Sequence, residues 1–259
     1  MDKKQERIGK IMRALKIYQT SSIRELAAQM QVSEMTIRRD LHTLSRENTV
    51  KVLHGGVILS AALATTSPAS IYSLVTEETL KIDEKKRIGQ KAASLIEPQD
   101  IIIIDSGSTT EYLAKFIPEA MPITVLCYSL NNLFEVSRKK IERIIFAGGY
   151  FHGNIMMFES AEGAELIRKN RANKAFLAAR GVSEKLGITT ANQYEIEMKK
   201  AALKSSLCNI LLIDSSKFGQ VGSAHYADLR DVNVIITDSG IPQEYVDLIN
   251  SLGIQLHIV

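Results

Sequence analysis

The stretch IIIIDSGSTT, residues 101–110, joins a run of four isoleucines to a loop of small and hydroxylated residues. An apolar run of this kind, followed by a helical pattern over 110–116, is typical of a strand buried on both faces of a parallel sheet. The loop combines Gly107, which lets the backbone approach a ligand, with the N-terminus of the predicted helix. The stretch therefore predicts an α/β domain with an anion site at the carboxyl end of this strand.

The alternation of apolar runs and helical patterns continues along the chain. Strands are predicted over 123–127, 143–147, 175–178, 210–213, 232–237 and 254–259, and helices over 83–96, 131–138, 161–169, 192–206 and 243–251. Continuous apolar strands separated by helices indicate a mainly parallel sheet covered on both faces, a Rossmann-like arrangement. This domain is predicted to span residues 81–259.

Residues 1–59 carry a different pattern. Apolar residues at helical spacing over 8–15 predict a first helix, and the capping box of Ser22 and Glu25 opens a second. Ser33 is a favourable N-cap for a third helix, and two short strands flank Gly55-Gly56. Three helices followed by a hairpin predict a winged helix-turn-helix domain.

Residues 60–80 are predicted to link the two domains, because SAALATTSPAS is made of small and hydroxylated residues with one proline. The charge differs on the two sides of this linker. Residues 1–59 hold 11 Lys and Arg against 6 Asp and Glu, and the remainder holds 21 against 23. The basic excess favours a nucleic-acid partner for the first domain, although a solvated helical face would produce a similar excess.

Composition narrows the class of protein further. No apolar run approaches the roughly 18 residues of a membrane helix, and the charged start does not resemble a secretory signal, so we expect a cytoplasmic protein with no membrane partner. Cys127 and Cys208 lie in apolar segments, which favours buried free thiols over a disulfide. The histidines lack metal-binding spacing, so neither a metal nor another cofactor is expected.

The third helix is predicted to enter the major groove of DNA with its N-terminal residues at base edges. An arginine there can bind guanine bidentately or neutralise a phosphate, and the sequence alone does not choose between these roles. The alternative is an ordinary surface helix in which Arg38 or Arg39 pairs with Asp40 or Glu34. The residues predicted to contact DNA are Ser33, Met35, Thr36, Arg38, Arg39, Lys51 and His54.

The segments SEMTIRRDL (33–41) and HGG (54–56) resemble the DNA-binding signature of the DeoR family of bacterial sugar-metabolism regulators. The resemblance continues through EKKRI (84–88), DSGSTT (105–110), GG (148–149) and DSSKFG (214–219), and covers nearly the whole chain. It implies a second-domain fold of the ribose-5-phosphate isomerase type. It also implies a repressor of a carbohydrate or deoxyribonucleoside catabolic operon that a phosphorylated sugar releases.

Several of these motifs follow predicted strands, and ligands of open α/β sheets bind outside the carboxyl ends of the strands. Lys217 is expected to supply positive charge for a phosphate. Glu195 and Lys199 have the spacing of a helical surface ion pair, which is what we expect for Lys199, whereas the resemblance gives Glu195 a second role as acceptor of a sugar hydroxyl. The predicted effector-binding residues are Asp105, Ser106, Gly107, Ser108, Thr109, Thr110, Asn131, Gly148, Gly149, Glu195, Asp214 and Lys217.

Two other functions compete with a regulator. A phosphosugar isomerase needs a carboxylate base, and family members often carry an acidic residue in the segment 178–181, where this chain has Arg180. A DNA-binding architectural protein without a ligand would not need glycine-rich loops at successive strand ends. We therefore expect a regulator rather than an enzyme. Paired DNA-binding domains read half-sites about one helical turn apart, which favours a homodimer or homotetramer on duplex operator DNA.

Overall fold

A computed structural model of the chain describes residues 3–18, 20–46, 50–53, 56–59, 74, 77 and 80–259. The chain divides into two compact units, Met1–Thr76 and Glu77–Val259. Most of the predicted linker over 60–80 lies outside the described residues. None of the helices in the described part is long and apolar enough to cross a membrane.

The first unit is a winged helix-turn-helix, as predicted. Its elements are α1 (Lys3–Tyr18), β1 (Thr20–Ser22), α2 (Ile23–Met30), α3 (Glu34–Arg46), β2 (Val50–Leu53) and β3 (Gly56–Leu59). The strand β3 lies between β1 and β2 and pairs antiparallel with both. Apolar residues at helical spacing, including Ile11, Leu26, Ile37 and Leu41, form its core. The short β1 was not predicted, because three residues are too few to show a period.

The second unit alternates strands and helices, and its parallel sheet confirms the predicted class. Its elements are α4 (Ile82–Ala93), β4 (Ile101–Ile104), α5 (Ser108–Phe116), β5 (Ala120–Cys127), α6 (Leu130–Ser137), β6 (Lys140–Phe146), β7 (Tyr150–His152), β8 (Met157–Glu159), α7 (Ala161–Lys169), β9 (Ala172–Leu177), β10 (Gly181–Ser183), β11 (Gly187–Thr190), α8 (Ile196–Lys204), β12 (Ser206–Leu212), β13 (Ala224–Ala227), β14 (Val234–Thr237), α9 (Gln243–Ser251) and β15 (Gln255–Ile258).

Seven strands form the main sheet in the order β15-β14-β12-β9-β4-β5-β6, with every neighbouring pair parallel. The chain winds from β4 through β5 to β6 in one direction, and from β9 through β12 and β14 to β15 in the other. The direction therefore reverses between β4 and β9. In open α/β sheets this reversal opens a crevice at the carboxyl ends of the two strands, where ligands bind.

One face of this sheet carries a core cluster that includes Ile102, Ile104, Val125, Phe176 and Ile236. The alternate residues, which point to the other face, are buried too, among them Ile103, Leu126, Leu211 and Ile235. Both faces are covered by helices, which is why the inner strands are continuously apolar. Cys127 is buried in β5, where burial raises the pKa of its thiol to about 12, and both cysteines are free. At one edge of the sheet, β6 exposes Lys140, Glu142 and Arg143.

Two small antiparallel additions were not predicted. They are the β7–β8 hairpin and the three-stranded sheet β10-β11-β13. Their strands have three or four residues each, too few for an apolar period to show. The helix predicted over 192–206 begins instead as a 3-10 turn over Gln193–Glu195, because Asn192 and Glu195 form a capping box there.

Candidate nucleic-acid interface and effector site

Ser33 begins the third helix of the first unit. Its Oγ accepts a hydrogen bond from the Thr36 backbone N–H at 3.3 Å, which confirms the predicted N-cap. The Thr36 hydroxyl lies 3.0 Å from the same oxygen. The cap therefore places the first turn of α3, including Met35 with 60% of its surface exposed, at the surface of the unit.

Arg38 and Arg39 are exposed on the helix after this cap. Asp40 is buried and accepts two hydrogen bonds from Arg7, at 2.6 and 3.2 Å. This ion pair takes Asp40, one of the two acids that the surface-helix alternative assigned to Arg38 or Arg39. Neither arginine has an ion-pair partner within the described part of the chain. Both guanidinium groups are available to an anionic partner. Lys51 lies in β2, whereas its side chain and His54 fall outside the described residues.

In the second unit, Asp105 is fully buried at the carboxyl end of β4. Its Oδ1 accepts hydrogen bonds from the Ser106 N–H at 2.7 Å and the Tyr128 hydroxyl at 2.5 Å. Its Oδ2 accepts from the Ala178 N–H at 2.8 Å and Lys199 Nζ at 2.5 Å. We call Asp105, Tyr128, Ala178 and Lys199 the Asp105 cluster. Because protein donors occupy both oxygens, Asp105 holds the loop in place, and contact between its carboxylate and an effector stays a prediction.

Burial also sets the state of the tyrosine in this cluster. Burial first, and then the charge of Asp105, raise the pKa of Tyr128 well above its ordinary value. The phenol therefore remains a hydrogen-bond donor to Asp105. The cluster links the ends of β4, β5 and β9 with α8, so it spans the crevice where the winding of the sheet reverses.

Lys199 is not the surface residue that the helical spacing suggested. Only 1% of it is exposed, and its Nζ donates to Asp105 and to the Ala178 carbonyl at 3.0 Å. Glu195 Oε2 lies 3.7 Å from the same nitrogen, while Glu195 Oε1 accepts two hydrogen bonds from Asn192, each 2.9 Å long. The spacing did place both residues on one helix face, but that face packs on the sheet.

The loop after Asp105 approaches the opposite wall of the crevice closely. Gly107 has φ of +155°, and a Cβ at this position would lie 2.8 Å from the Ala178 Cβ, so glycine is required here. Thr110 Oγ1 donates to the carbonyls of Asp105 at 2.7 Å and Gly107 at 3.0 Å, which closes the loop. Ser106, Ser108 and Thr109 are buried at the start of α5, whose first N–H groups have no partner within the helix.

Several buried polar atoms of the described residues at this sheet edge have no hydrogen-bond partner. They are Ser129 Oγ, Asn131 Oδ1, Asn132 Oδ1, Asp214 Oδ2 and Thr237 Oγ1. The amide nitrogens of Asn131 and Asn132 are engaged, with Glu111 at 3.0 Å and the Asp105 carbonyl at 2.8 Å. Unpartnered buried polar atoms are uncommon in native proteins, and a group of them at one edge is consistent with a ligand that supplies the partners.

Lys217 is also engaged. Its Nζ donates to Glu77 Oε2 at 2.7 Å, and both side chains are buried. Lys85 Nζ donates to the Glu77 carbonyl at 2.5 Å and lies 3.9 Å from Oε2, while Arg180 Nη1 lies 3.8 Å from Oε1. We call these four residues the Glu77 cluster. Burial opposes ionisation of Glu77, but the hydrogen bond from Lys217 and the three cations together hold its pKa below the ordinary value.

Gly148 and Gly149 lie elsewhere at this edge. The Gly148 carbonyl accepts a hydrogen bond from Ser160 at 2.9 Å. A Cβ on Gly149, where φ is +148°, would lie 2.2 Å from the Glu159 carbonyl oxygen. The two glycines therefore let the β7–β8 hairpin approach closely, and they line a surface cavity of about 460 Å³ together with Ser160 and Gly163.

Asp214 accepts hydrogen bonds from the backbone N–H and the hydroxyl of Ser216.

Glu77, Lys85 and Tyr128 were not among the predicted site residues, although Lys85 lies in the motif at 84–88. Lys85 had a detectable signal, because it shares the apolar face of the predicted helix with Ile88 and Ala92 and is itself buried. A lysine on such a face indicates a buried ionic partner. Glu77 had no signal, since it falls within the segment predicted to be a linker.

Comparison with known proteins agrees with the two-unit geometry. Residues 7–62 match the DeoR-like helix-turn-helix domain, and residues 80–239 match the DeoR C terminal sensor domain. A helix-turn-helix unit joined to a sensor unit defines a DNA-binding transcriptional regulator. The chain belongs to the DeoR family, which confirms the resemblance drawn from its motifs.

Individual relatives cover almost the whole chain. The deoxyribose operon repressor of Escherichia coli (strain K12) is 32% identical over 254 residues, 98% of each chain. The HTH-type transcriptional repressor GlcR of Bacillus subtilis (strain 168) is 30% identical over 252 residues, 97% of this chain and 95% of the relative. A ribose 5-phosphate isomerase A structure from Methanocaldococcus jannaschii aligns with a TM-score of 0.40 and 15% identity over 53% of this chain and 54% of that one.

Proposed function

We propose that the protein is a homo-oligomeric repressor that leaves its operator when a phosphorylated sugar binds at the carboxyl edge of the sensor sheet. The relatives from Escherichia coli and Bacillus subtilis are named as repressors, and the first is named for a deoxyribose operon. These names support repression of a carbohydrate or deoxyribonucleoside operon.

DNA binding by the first unit rests on the exposed arginines of α3. Arg38 and Arg39 follow the Ser33 cap, and the neighbouring Asp40 is already paired with Arg7. In a helix-turn-helix protein the first turns of this helix face base edges and phosphates. Binding should weaken steeply with salt, because phosphate contacts release counterions.

The observation that carries the effector proposal is the reversal of the winding between β4 and β9, because ligands of open α/β sheets bind at such a point. On one side lies the N-terminus of α5, which favours negative charge. On the other side the segment after β9 leads to Arg180, which shares Glu77 with Lys217. Unpartnered side-chain oxygens of Ser129 and Asn131 at the same edge are suitable for sugar hydroxyls.

We propose no isomerase activity. Proton abstraction needs a free carboxylate within reach of the substrate. Asp105 accepts hydrogen bonds on both oxygens, and Glu195 is held by Asn192 and lies beside Lys199. Turnover of ribose 5-phosphate by the full-length protein would instead favour the enzyme alternative.

DNA binding is tested with an operator that is recovered by selection from a random library of DNA duplexes. We expect Arg38→Ala and Arg39→Ala each to weaken operator binding by about 10-fold or more, since a bidentate base contact contributes about 1–3 kcal/mol. Arg143→Ala, an exposed arginine on β6 of the other unit, is the matched control. Fluorescence anisotropy measures the affinity, and sedimentation velocity of the same complex reports the oligomeric state. Unchanged affinity for both α3 variants, or a stable monomer on DNA, would contradict the proposal.

Effector binding is tested by comparing each phosphorylated sugar with the corresponding free sugar. Deoxyribose 5-phosphate, ribose 5-phosphate and fructose phosphates are tested first. We expect one phosphorylated sugar to weaken operator binding by at least about 10-fold while the free sugar has no effect, because the helix N-terminus and the cations bind the dianion.

Lys217→Gln should bind operator normally and lose the response, whereas the exposed Lys86→Gln should keep it. If no phosphorylated sugar changes DNA binding, or if Lys217→Gln responds like the wild type, the effector proposal fails.

A further inference from the structure

The Glu77 cluster places a carboxylate of the chain itself on the cations expected to bind the effector. Glu77 Oε2 accepts a hydrogen bond from Lys217 at 2.7 Å, and Oε1 lies 3.8 Å from Arg180. Carboxylates and phosphates are both strong acceptors for such cations and compete for the same N–H donors. The predicted phosphate ligand Lys217 is thus occupied by an internal anion.

The position of Glu77 along the chain makes this contact informative. Glu77 is the first residue of the second unit. The matched DNA-binding domain ends at residue 62 and the matched sensor domain begins at residue 80, so Glu77 belongs to the connecting segment. Its backbone carbonyl is held by Lys85 of α4 and its side chain by Lys217, so Glu77 is fastened to the rest of the sensor unit at two points.

We propose that Glu77 is an internal competitor of the effector's phosphate: the phosphate takes Lys217 and Arg180, and the displaced Glu77 releases the connecting segment. This inference rests on the proposed function, because it assigns a mechanism to the same effector site. A ligand can shift DNA binding only if it binds two states differently, and exchange of Glu77 for phosphate supplies two such states.

The competition has a measurable consequence. While Glu77 occupies the cations, the apparent dissociation constant of phosphate is raised in inverse proportion to the fraction of molecules in which the site is open. Removing the carboxylate should therefore tighten phosphate binding. The same change should lower the melting temperature in phosphate-free buffer, because Lys217 and Lys85 lose a buried partner.

The test uses the full-length protein and inorganic phosphate as the probe. Isothermal titration and thermal unfolding are compared for the wild type and Glu77→Gln. We expect Glu77→Gln to bind phosphate about 10-fold or more tightly and to gain more in melting temperature from added phosphate than the wild type does. Glu84→Gln is the matched control, because Glu84 lies in α4, seven residues after Glu77, and pairs with the exposed Lys81. It should leave phosphate binding unchanged.

Two further variants keep the test decisive if Glu77→Gln folds poorly. Glu77→Asp retains the charge but withdraws it from Lys217, and should give an intermediate gain in phosphate affinity. Adding Lys217→Gln to either variant should abolish the gain. Equal or weaker phosphate binding by Glu77→Gln and Glu77→Asp, or a gain that survives Lys217→Gln, overturns the inference.

Operator binding separates this inference from the proposed function. If a phosphorylated sugar releases the wild type from DNA but Glu77→Gln needs the same sugar concentration, the competition is wrong and the effector proposal stands. If the phosphate affinity rises as expected and no phosphorylated sugar affects DNA, the effector proposal is wrong and the competition stands as a local property of the cluster.

Discussion

The Asp105 cluster and the Glu77 cluster both join a buried carboxylate to a buried lysine, yet they differ in how completely the carboxylate is bonded. Asp105 accepts hydrogen bonds from five donors, three on Oδ1 and two on Oδ2. Among the described residues, the Glu77 carboxylate accepts one, from Lys217, while Lys85 and Arg180 stand 3.9 and 3.8 Å away. A carboxylate saturated by donors on fixed elements holds a fold together, whereas a less saturated one in a connecting segment can be exchanged for another anion.

The largest effect is expected at Asp105. Asp105→Asn would remove the carboxylate that is hydrogen-bonded to the buried Lys199 and leave only Glu195 Oε2, at 3.7 Å from its Nζ. Breaking a buried ion pair costs about 3–5 kcal/mol. Chemical denaturation of the full-length protein measures this loss. Asp83→Asn, at a position whose side chain is 83% exposed, should change the free energy of unfolding by less than about 0.5 kcal/mol. A small loss at Asp105 would erase the distinction between the two clusters.

A smaller effect is expected where the Asp105 loop meets the opposite wall of the crevice. Gly107→Ala puts a Cβ 2.8 Å from the Ala178 Cβ at φ of +155°, and should destabilise the protein by about 1–3 kcal/mol. Gly148→Ala is the control, since its Cβ would meet nothing within 4 Å and its φ is not in the left-handed range. Thermal unfolding compares the two. If both variants melt alike, the loop is less tightly held than the hydrogen bonds of Asp105 imply.

The smallest effect concerns pH and Glu77. Its folded pKa is lowered below the ordinary value near 4.5, so its ionised form stabilises the protein above that value, and this stabilisation is lost as the pH falls through the folded pKa. The wild type should therefore lose part of its stability advantage over Glu77→Gln between neutral pH and pH values below the folded pKa. Denaturation at several pH values measures the difference. A constant difference would show that Glu77 does not change its protonation with folding.

The sequence predicted the fold more fully than the site. The run of isoleucines at 101–104 and the Ser33 cap identified a parallel sheet and a helix-turn-helix because both signals are local: period, cap and apolar length. The three-residue strands of the β7–β8 hairpin were not predicted, since segments this short show no apolar period along the chain.

Site residues were predicted by type and position, but their partners were not. Lys217 was expected to be open to a phosphate. Its ion pair with Glu77 joins residues 140 positions apart, and no local pattern in the sequence indicates such a pair. Lys199 was expected at the surface because helical spacing shows which residues share a face and does not show what that face packs against. Long-range ionic contacts of this kind depend on the tertiary fold.

The exposed charges of β6 bear on how the protein stays soluble while it folds. A mainly parallel sheet forms through contacts between segments that are distant in the sequence, so it folds more slowly than a helical bundle does. Its strands therefore stay unpaired for longer during folding. Among the described residues, β6 pairs on one side only, with β5, at the edge of the sheet. Lys140, Glu142 and Arg143 put charged, hydrated side chains along that edge, and charges there oppose strand-to-strand aggregation between molecules.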